Sequence, residues 1–290
     1  MNTLRAYYAL VKPGVMYGNV LTGAAGYLFA AGHFGRFDWV ECIATIIGMT
    51  GVVSAACVLN NYLDQDIDQV MQRTKKRPSV TGEVSGVAMI TYSVVLLILG
   101  TGILALWTNW LVVALGLIGF VTYVWLYGAW SKRRSLHGTT MGSISGAFPI
   151  AGGYAAVSGS VDLGLVVLFL ILFFWQFPEF YSISIYRRKE YKAANVPVIS
   201  VVRGIPTTIR WILVNTILYV TCTLALTPLG YTGWLYFFVM ACAGFGWIRI
   251  GIQGLSAKNP EEWARTRMFR QAMYQILLLC VMLSIGPLLP

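Results

Sequence analysis

The sequence predicts an all-α, polytopic membrane protein, with nine transmembrane helices in one domain spanning residues 1–290. Three observations predict it. The chain is 57% hydrophobic and only 11% charged, with a mean hydropathy of +0.69, values foreign to a water-soluble domain. Nine apolar stretches each suffice to cross a hydrocarbon core of about 30 Å as a helix. Lysine and arginine, finally, are confined to alternate loops.

The stretches lie near 13–31, 39–62, 86–106, 110–130, 139–158, 163–184, 208–228, 231–253 and 268–288. The first follows Arg5 and Lys12 and holds small residues at Ala24, Ala25 and Gly26, as a signal peptide would. Its length, and the spans that follow, favour a retained helix. The turns near Trp107–Trp110, Gly159–Asp162 and Pro228–Gly233 are short. In AKNPEEWARTR, Asn259 is a cap, Pro260 sits in the first turn, and Glu261 and Glu262 favour the dipole of a short helix start. Cys42, Cys57, Cys222, Cys242 and Cys280 all lie in apolar runs without CxxC spacing and read as small core residues.

Of the 21 Lys and Arg, all but Arg36 fall at the N-terminus or in the loops after spans two, four, six and eight. The positive-inside rule then puts the N-terminus in the cytoplasm and the C-terminus outside. The net charge of +10 is accounted for by this topology, and nucleic acid is not implied as a partner.

Chemistry concentrates in the first long loop, NNYLDQDIDQVMQRTKKRP. Asn60, Asp64 and Asp68 recur every four residues, so on a helix each step turns the side chain by about 40° and climbs about 6 Å. The three share a face, and Asp66 falls opposite. Oxygen ligands along one face suit Mg²⁺, which takes one or two carboxylates and completes its shell with water and phosphate oxygens. A straight helix separates Asn60 from Asp68 by about 12 Å, which calls for two ions, a bridging water or an unwound last turn. Arg73, Lys75, Lys76 and Arg77 follow, a cluster suited to a diphosphate. The plainer reading is a solvated loop of mixed charge.

Two further patches share that face. YGAWSKRRSLHGTT carries Lys132, Arg133 and Arg134, and WQFPEFYSISIYRRKEYKAANVP closes span six. In the second patch Glu179 follows Pro178 inside apolar sequence, where a carboxylate costs several kcal/mol unless it faces a cavity or a partner. Its alternative role is to bond backbone groups freed at a kink. Tyr181, Tyr186 and Tyr191 read as interfacial belt residues.

With KPGVMYGN, these stretches resemble the UbiA superfamily of intramembrane prenyltransferases. The R-T-x2-R-P continuation and the W-Q-x-P segment are similar to its heme-modifying branch. The resemblance implies a helical bundle around a central cavity and Mg²⁺-dependent transfer of a farnesyl group from farnesyl diphosphate to a vinyl group of heme B, giving heme O. It also implies a bacterial inner (plasma) membrane location and an oxidase-assembly protein as a partner besides the lipid bilayer. By position, Asn60, Asp64, Asp68 and Glu190 would hold metal, and Arg73, Lys76, Arg77, Lys132, Arg133 and Arg187 the diphosphate. Trp175, Gln176, Glu179 and His137 would meet the acceptor, with Asp64, Asp68, Lys132 and Glu179 catalytic. Two positions depart from the family pattern: Glu179 stands where the family has histidine, and Glu190 where it has aspartate. Carboxylate is a poorer iron ligand than imidazole, and only His33, on the other side, and His137 remain. An acceptor such as a quinone precursor or a modified tetrapyrrole is therefore an alternative, as is a non-catalytic lipid- or heme-binding protein.

Overall fold

A computed structural model describes residues 3–290, and among them all regular structure is helical. The long helices are α1 (Pro13–Phe34), α2 (Trp39–Leu63), α3 (Gly86–Trp107), α4 (Trp110–Arg134), α5 (Gly138–Ser158), α6 (Leu163–Tyr186), α7 (Ile205–Ala225), α8 (Trp234–Gly254) and α9 (Pro260–Leu288). Seven of them, all but α1 and α5, are long and apolar enough to cross a membrane. The chain is a multi-pass integral membrane protein.

The expected first and fifth spans have the length, 22 and 21 residues, without the hydropathy. Their place in the bundle explains this. The pair cross backbone to backbone: a Cβ on Gly153 would lie 1.9 Å from the Gly23 carbonyl oxygen, and one on Gly26 2.2 Å from that of Ile150. Helices enclosed by other helices need small residues for close approach more than they need apolar surface. Around this pair, α1 also packs on α2 and α9, α5 on α4 and α6, α6 on α7 and α9, and α2 on α3. The outer faces expose Ile98, Leu106, Phe238 and Phe245, as side chains turned to lipid do. Cys242 belongs to that exposed surface, contrary to the core role expected of it, whereas Cys42, Cys57 and Cys280 are buried.

Of the boundaries that move, two have a visible cause. Helix α7 ends at Ala225, short of 228, because the chain turns there: Tyr231 N–H donates to the Leu226 carbonyl at 2.9 Å, and the Thr227 and Thr232 hydroxyls meet at 2.8 Å. Helix α9 begins at Pro260, well before 268, with the Asn259 side chain accepting from Glu262 N–H at 3.2 Å. The short helix start and the last span are one helix, joined through a π-helical turn at Ala264–Met268. A longer π stretch, Thr122–Ser131, closes α4.

Candidate active site at the basic end of the bundle

Helix α2 ends at Leu63, and Asp64 (φ −93, ψ 7) leads straight into a second short helix, Gln65–Val70. The four-residue ladder survives the join, since Asp64 N–H donates to the Asn60 carbonyl at 3.0 Å and Asp68 N–H to that of Asp64 at 2.8 Å. Asn60, Asp64 and Asp68 therefore stay in register and are 1%, 1% and 3% exposed. They do not form a solvated charged loop.

Each of the three is met by a cation from elsewhere. Lys132 Nζ lies 2.5 Å from Asp64 Oδ2, and Arg77 Nη1 2.6 Å from Asp68 Oδ2. Lys12 Nζ donates to Asn60 Oδ1. Arg133 does different work. It grips exposed Asp66 through both oxygens, at 2.6 and 2.7 Å, and donates to the Leu63 carbonyl at the end of α2, leaving Asp64 Oδ1 3.9 Å away. That pairing holds the Asp66 carboxyl down at about 2. Asp66, set aside in the sequence reading, is thus the anchor of Arg133.

Lys12 escaped the sequence reading. It stands before α1 in a left-handed backbone conformation (φ 50), and burial pushes its ammonium down to about 8. Asn61 fixes the same loop by donating to the Leu10 carbonyl at 2.6 Å. The only sequence signal was Lys-Pro at the start of a span. Tyr127 was missed as well. In the π stretch of α4 it stands five residues before Lys132, whose ammonium sits 5.9 Å from the ring centre. Gly128 in the same stretch leaves room for Asn60, whose Nδ2 would be 3.0 Å from a Cβ there.

Glu190 belongs to a neighbouring group. Arg187 holds its Oε1 at 3.0 Å, and its Oε2 is buried without a hydrogen bond. Burial raises the Tyr191 hydroxyl, with Tyr127 adding to the effect, while Lys132, Arg73 and Arg187 draw it back down. Tyr191 therefore sits in the field of both patches. Arg73 and Lys76 are exposed, as is His137 at the uncapped start of α5. Trp175 and Gln176 use their polar atoms on backbone: Trp175 Nε1 donates to the Ala272 carbonyl of α9, and Gln176 Nε2 to the Ser143 carbonyl of α5, both at 3.0 Å. Glu179 is half-buried and forms no hydrogen bond or ion pair among the described residues. No bond from Glu179 to a backbone group near Pro178 is present among those residues; Ser182 donates to the Pro178 carbonyl at 2.6 Å.

The donor set suits a hard cation. Asp64 Oδ1 is buried without a hydrogen bond, so the ladder holds coordinating capacity that the protein itself does not use. Among the described residues no three His, Cys, Asp or Glu side chains converge. A divalent ion here would take two carboxylates and complete its shell from water and phosphate oxygens, as Mg²⁺ does.

Comparison with known proteins gives a family and a fold. A model of the UbiA prenyltransferase family matches residues 19–273. Protoheme IX farnesyltransferase of Yersinia enterocolitica is 39% identical over 282 residues, covering 97% of this chain and 94% of that protein. The enzyme of the same name from Sodalis glossinidius is 40% identical over 288 residues, covering 99% and 96%. Among solved structures, a UbiA homolog from Archaeoglobus fulgidus bound to DMAPP and Mg²⁺ superposes with a TM-score of 0.76 at 14% identity, over 96% of this chain and 97% of that one. A digeranylgeranylglyceryl phosphate synthase superposes at 0.81 with 18% identity over 99% of both chains.

Proposed function

The chain belongs to the UbiA prenyltransferase family, and from that premise we propose that it transfers the farnesyl group of farnesyl diphosphate to a vinyl group of heme B, giving heme O and diphosphate. The observation that carries the reading is the buried ladder of Asn60, Asp64 and Asp68, each rung met by a cation: Lys12 and Lys132 from distant segments, Arg77 from the loop that follows. A chain that merely stored a lipid or heme has no use for two buried carboxylates facing three fixed cations.

Ionisation of the allylic C–O bond leaves its electron pair on the departing diphosphate. Lys132 and Arg77, already fixed by their carboxylates, stand ready to share their donors with that charge, and little reorganisation is left for the transition state. Arg73 and Lys76, exposed beside them, attract the anion, and Arg133 holds the end of α2 in place. When bound, Mg²⁺ on Asp64 and Asp68 supplies further neutralisation of the leaving group. The apolar bundle excludes water from the allylic cation while the vinyl carbon attacks it. Water then adds at the cationic carbon beside the ring to give the hydroxyethyl group. Glu179, with no protein partner, accepts the proton released. The ladder faces the cytoplasm of a bacterial inner membrane, the N-terminus lies on that side and the C-terminus opposite, and an oxidase-assembly protein receives the product.

Incubating the purified protein with farnesyl diphosphate, heme B and Mg²⁺ tests the proposal. Heme O appears by mass spectrometry, and chelation of the metal abolishes it. Glu179, where an imidazole would suit iron, favours a second reading in which the acceptor is a quinone precursor or a modified tetrapyrrole. Prenylation of such a compound in place of heme B would establish it.

A further inference from the structure

Between the ends of α6 and α9 lies a cleft of about 490 Å³ lined by Tyr186, Arg187, Glu190, Phe269, Met273 and two arginines, Arg265 and Arg270. Its charge is unbalanced. Arg187 is paired with Glu190 at 3.0 Å, whereas neither Arg265 nor Arg270 has an acceptor among the described residues. Two unpaired guanidinium groups thus stand over a floor of Tyr186, Phe269 and Met273, the first two in edge contact with ring centres 6.1 Å apart. The backbone brings those cations together. Residues five apart on an α-helix point about 140° from each other. The π-helical turn at Ala264–Met268 bonds each residue to the fifth beyond it, which turns Arg265 and Arg270 toward one cleft. Arg267, between them, lies outside that cleft and donates to Gln253 on α8 at 3.1 Å, lining a second cleft that Arg270 also borders.

We propose that Arg265 and Arg270 receive the two carboxylates of the tetrapyrrole acceptor. The inference rests on the reading of heme B as that acceptor. Protoheme carries two propionates on one edge of a flat apolar ring, matching two free guanidinium groups above an aromatic and thioether floor. A guanidinium and a carboxylate pair through two parallel bonds, so the two arginines set the orientation of the ring as well as its affinity. The vinyl groups, on the edge away from the propionates, are left free to point into the bundle. Arg265 and Arg270 are binding residues here, and what they decide is which edge of the acceptor enters.

The same two cations would also suit a diphosphate or a phospholipid headgroup, and the test separates these. KM is measured for heme B, for its dimethyl ester and for farnesyl diphosphate, in detergent and again in vesicles with and without phosphatidylglycerol. The wild type should prefer the diacid to the ester by about tenfold or more. Arg265→Gln and Arg270→Gln should each raise KM for heme B about tenfold, leave KM for farnesyl diphosphate in place and shrink the preference for the diacid. Arg267→Gln should change none of these. An equal KM for ester and diacid in the wild type overturns the proposal. So does a rise in KM confined to farnesyl diphosphate, or an effect of the variants seen only with phosphatidylglycerol present. A wild type that prenylates no heme B at all removes the functional reading along with this one. Normal heme turnover with an undiminished diacid preference in the double variant removes this one alone.

Discussion

The two ends of the bundle are built on different principles. At the end opposite the ladder, polar side chains close helices. Asp38 accepts from Val40 and Glu41 N–H, Asn109 from Val112 N–H, and Asp162 from Leu165 N–H, capping α2, α4 and α6. Arg36 joins Glu41 to the Val157 carbonyl, both at 3.1 Å. Side-chain caps occur at the ladder end too, Ser85 on α3 and Asn259 on α9, while α1, α5 and α7 begin without one; what sets this end apart is buried charge. Its buried carboxylates are held by cations, Asp64 by Lys132 from α4 and Asp68 by Arg77 from the loop that follows it. Buried polar atoms of Asn60, Asn61, Asp64, Ser131 and Glu190 lack partners there. Leaving such a group unsatisfied costs about 1–3 kcal/mol, so a cluster of them at one end marks where a ligand is expected to supply the missing bonds. One end serves folding and the other serves binding.

If that division is right, substitutions at the two ends separate turnover from stability. The largest effect is expected from Asp64→Asn, which keeps the shape and one acceptor oxygen for Lys132 but removes the charge. Turnover should fall about 10³-fold, with a melting temperature close to wild type. Near-normal turnover would show that the ladder serves folding after all. Lys132→Gln should cost about 10²-fold in kcat/KM, most of it visible in KM for farnesyl diphosphate if the ammonium meets the diphosphate before the bond breaks. A loss seen only as a lower melting temperature would reassign Lys132 to holding α4 against α2.

Much of this contrast could be read from residue order. Spacing alone put Asn60, Asp64 and Asp68 on one face, and loop charges put Lys132 and Arg77 at the same end. Two kinds of residue stayed out of reach. Lys12 meets Asn60 only because α1 packs beside α2, a tertiary fact with no local signature beyond a lysine before a proline. Tyr127 and Lys132, like Arg265 and Arg270, stand five residues apart, and reasoning at 3.6 residues per turn assigns such pairs to different faces. The π stretches reverse that assignment. The opposite error befell Trp175 and Gln176: polar side chains beside a motif suggest a ligand, yet their polar atoms bond α9 and α5 backbone. A carbonyl on a neighbouring helix cannot be foreseen from sequence.

The smallest expected effect tests the other half of the comparison. Asp162 caps α6 through Leu165 N–H at 3.0 Å and accepts from the Tyr154 hydroxyl at 2.8 Å. Asp162→Ala removes both bonds in one step. Loss of a cap costs about 1 kcal/mol, and losing the bond to buried Tyr154 adds about as much again. In a chain of this size that corresponds to a melting temperature lower by about 4–8 °C. KM for farnesyl diphosphate should not move, because Asp162 sits at the end of α6 remote from Arg187 and Glu190. The variant therefore asks whether strain at one end of α6 is felt at the other. A tenfold change in KM with an unshifted melting temperature would mean that α6 transmits its position along its whole length, and the separation of a folding end from a binding end would fail at that helix first.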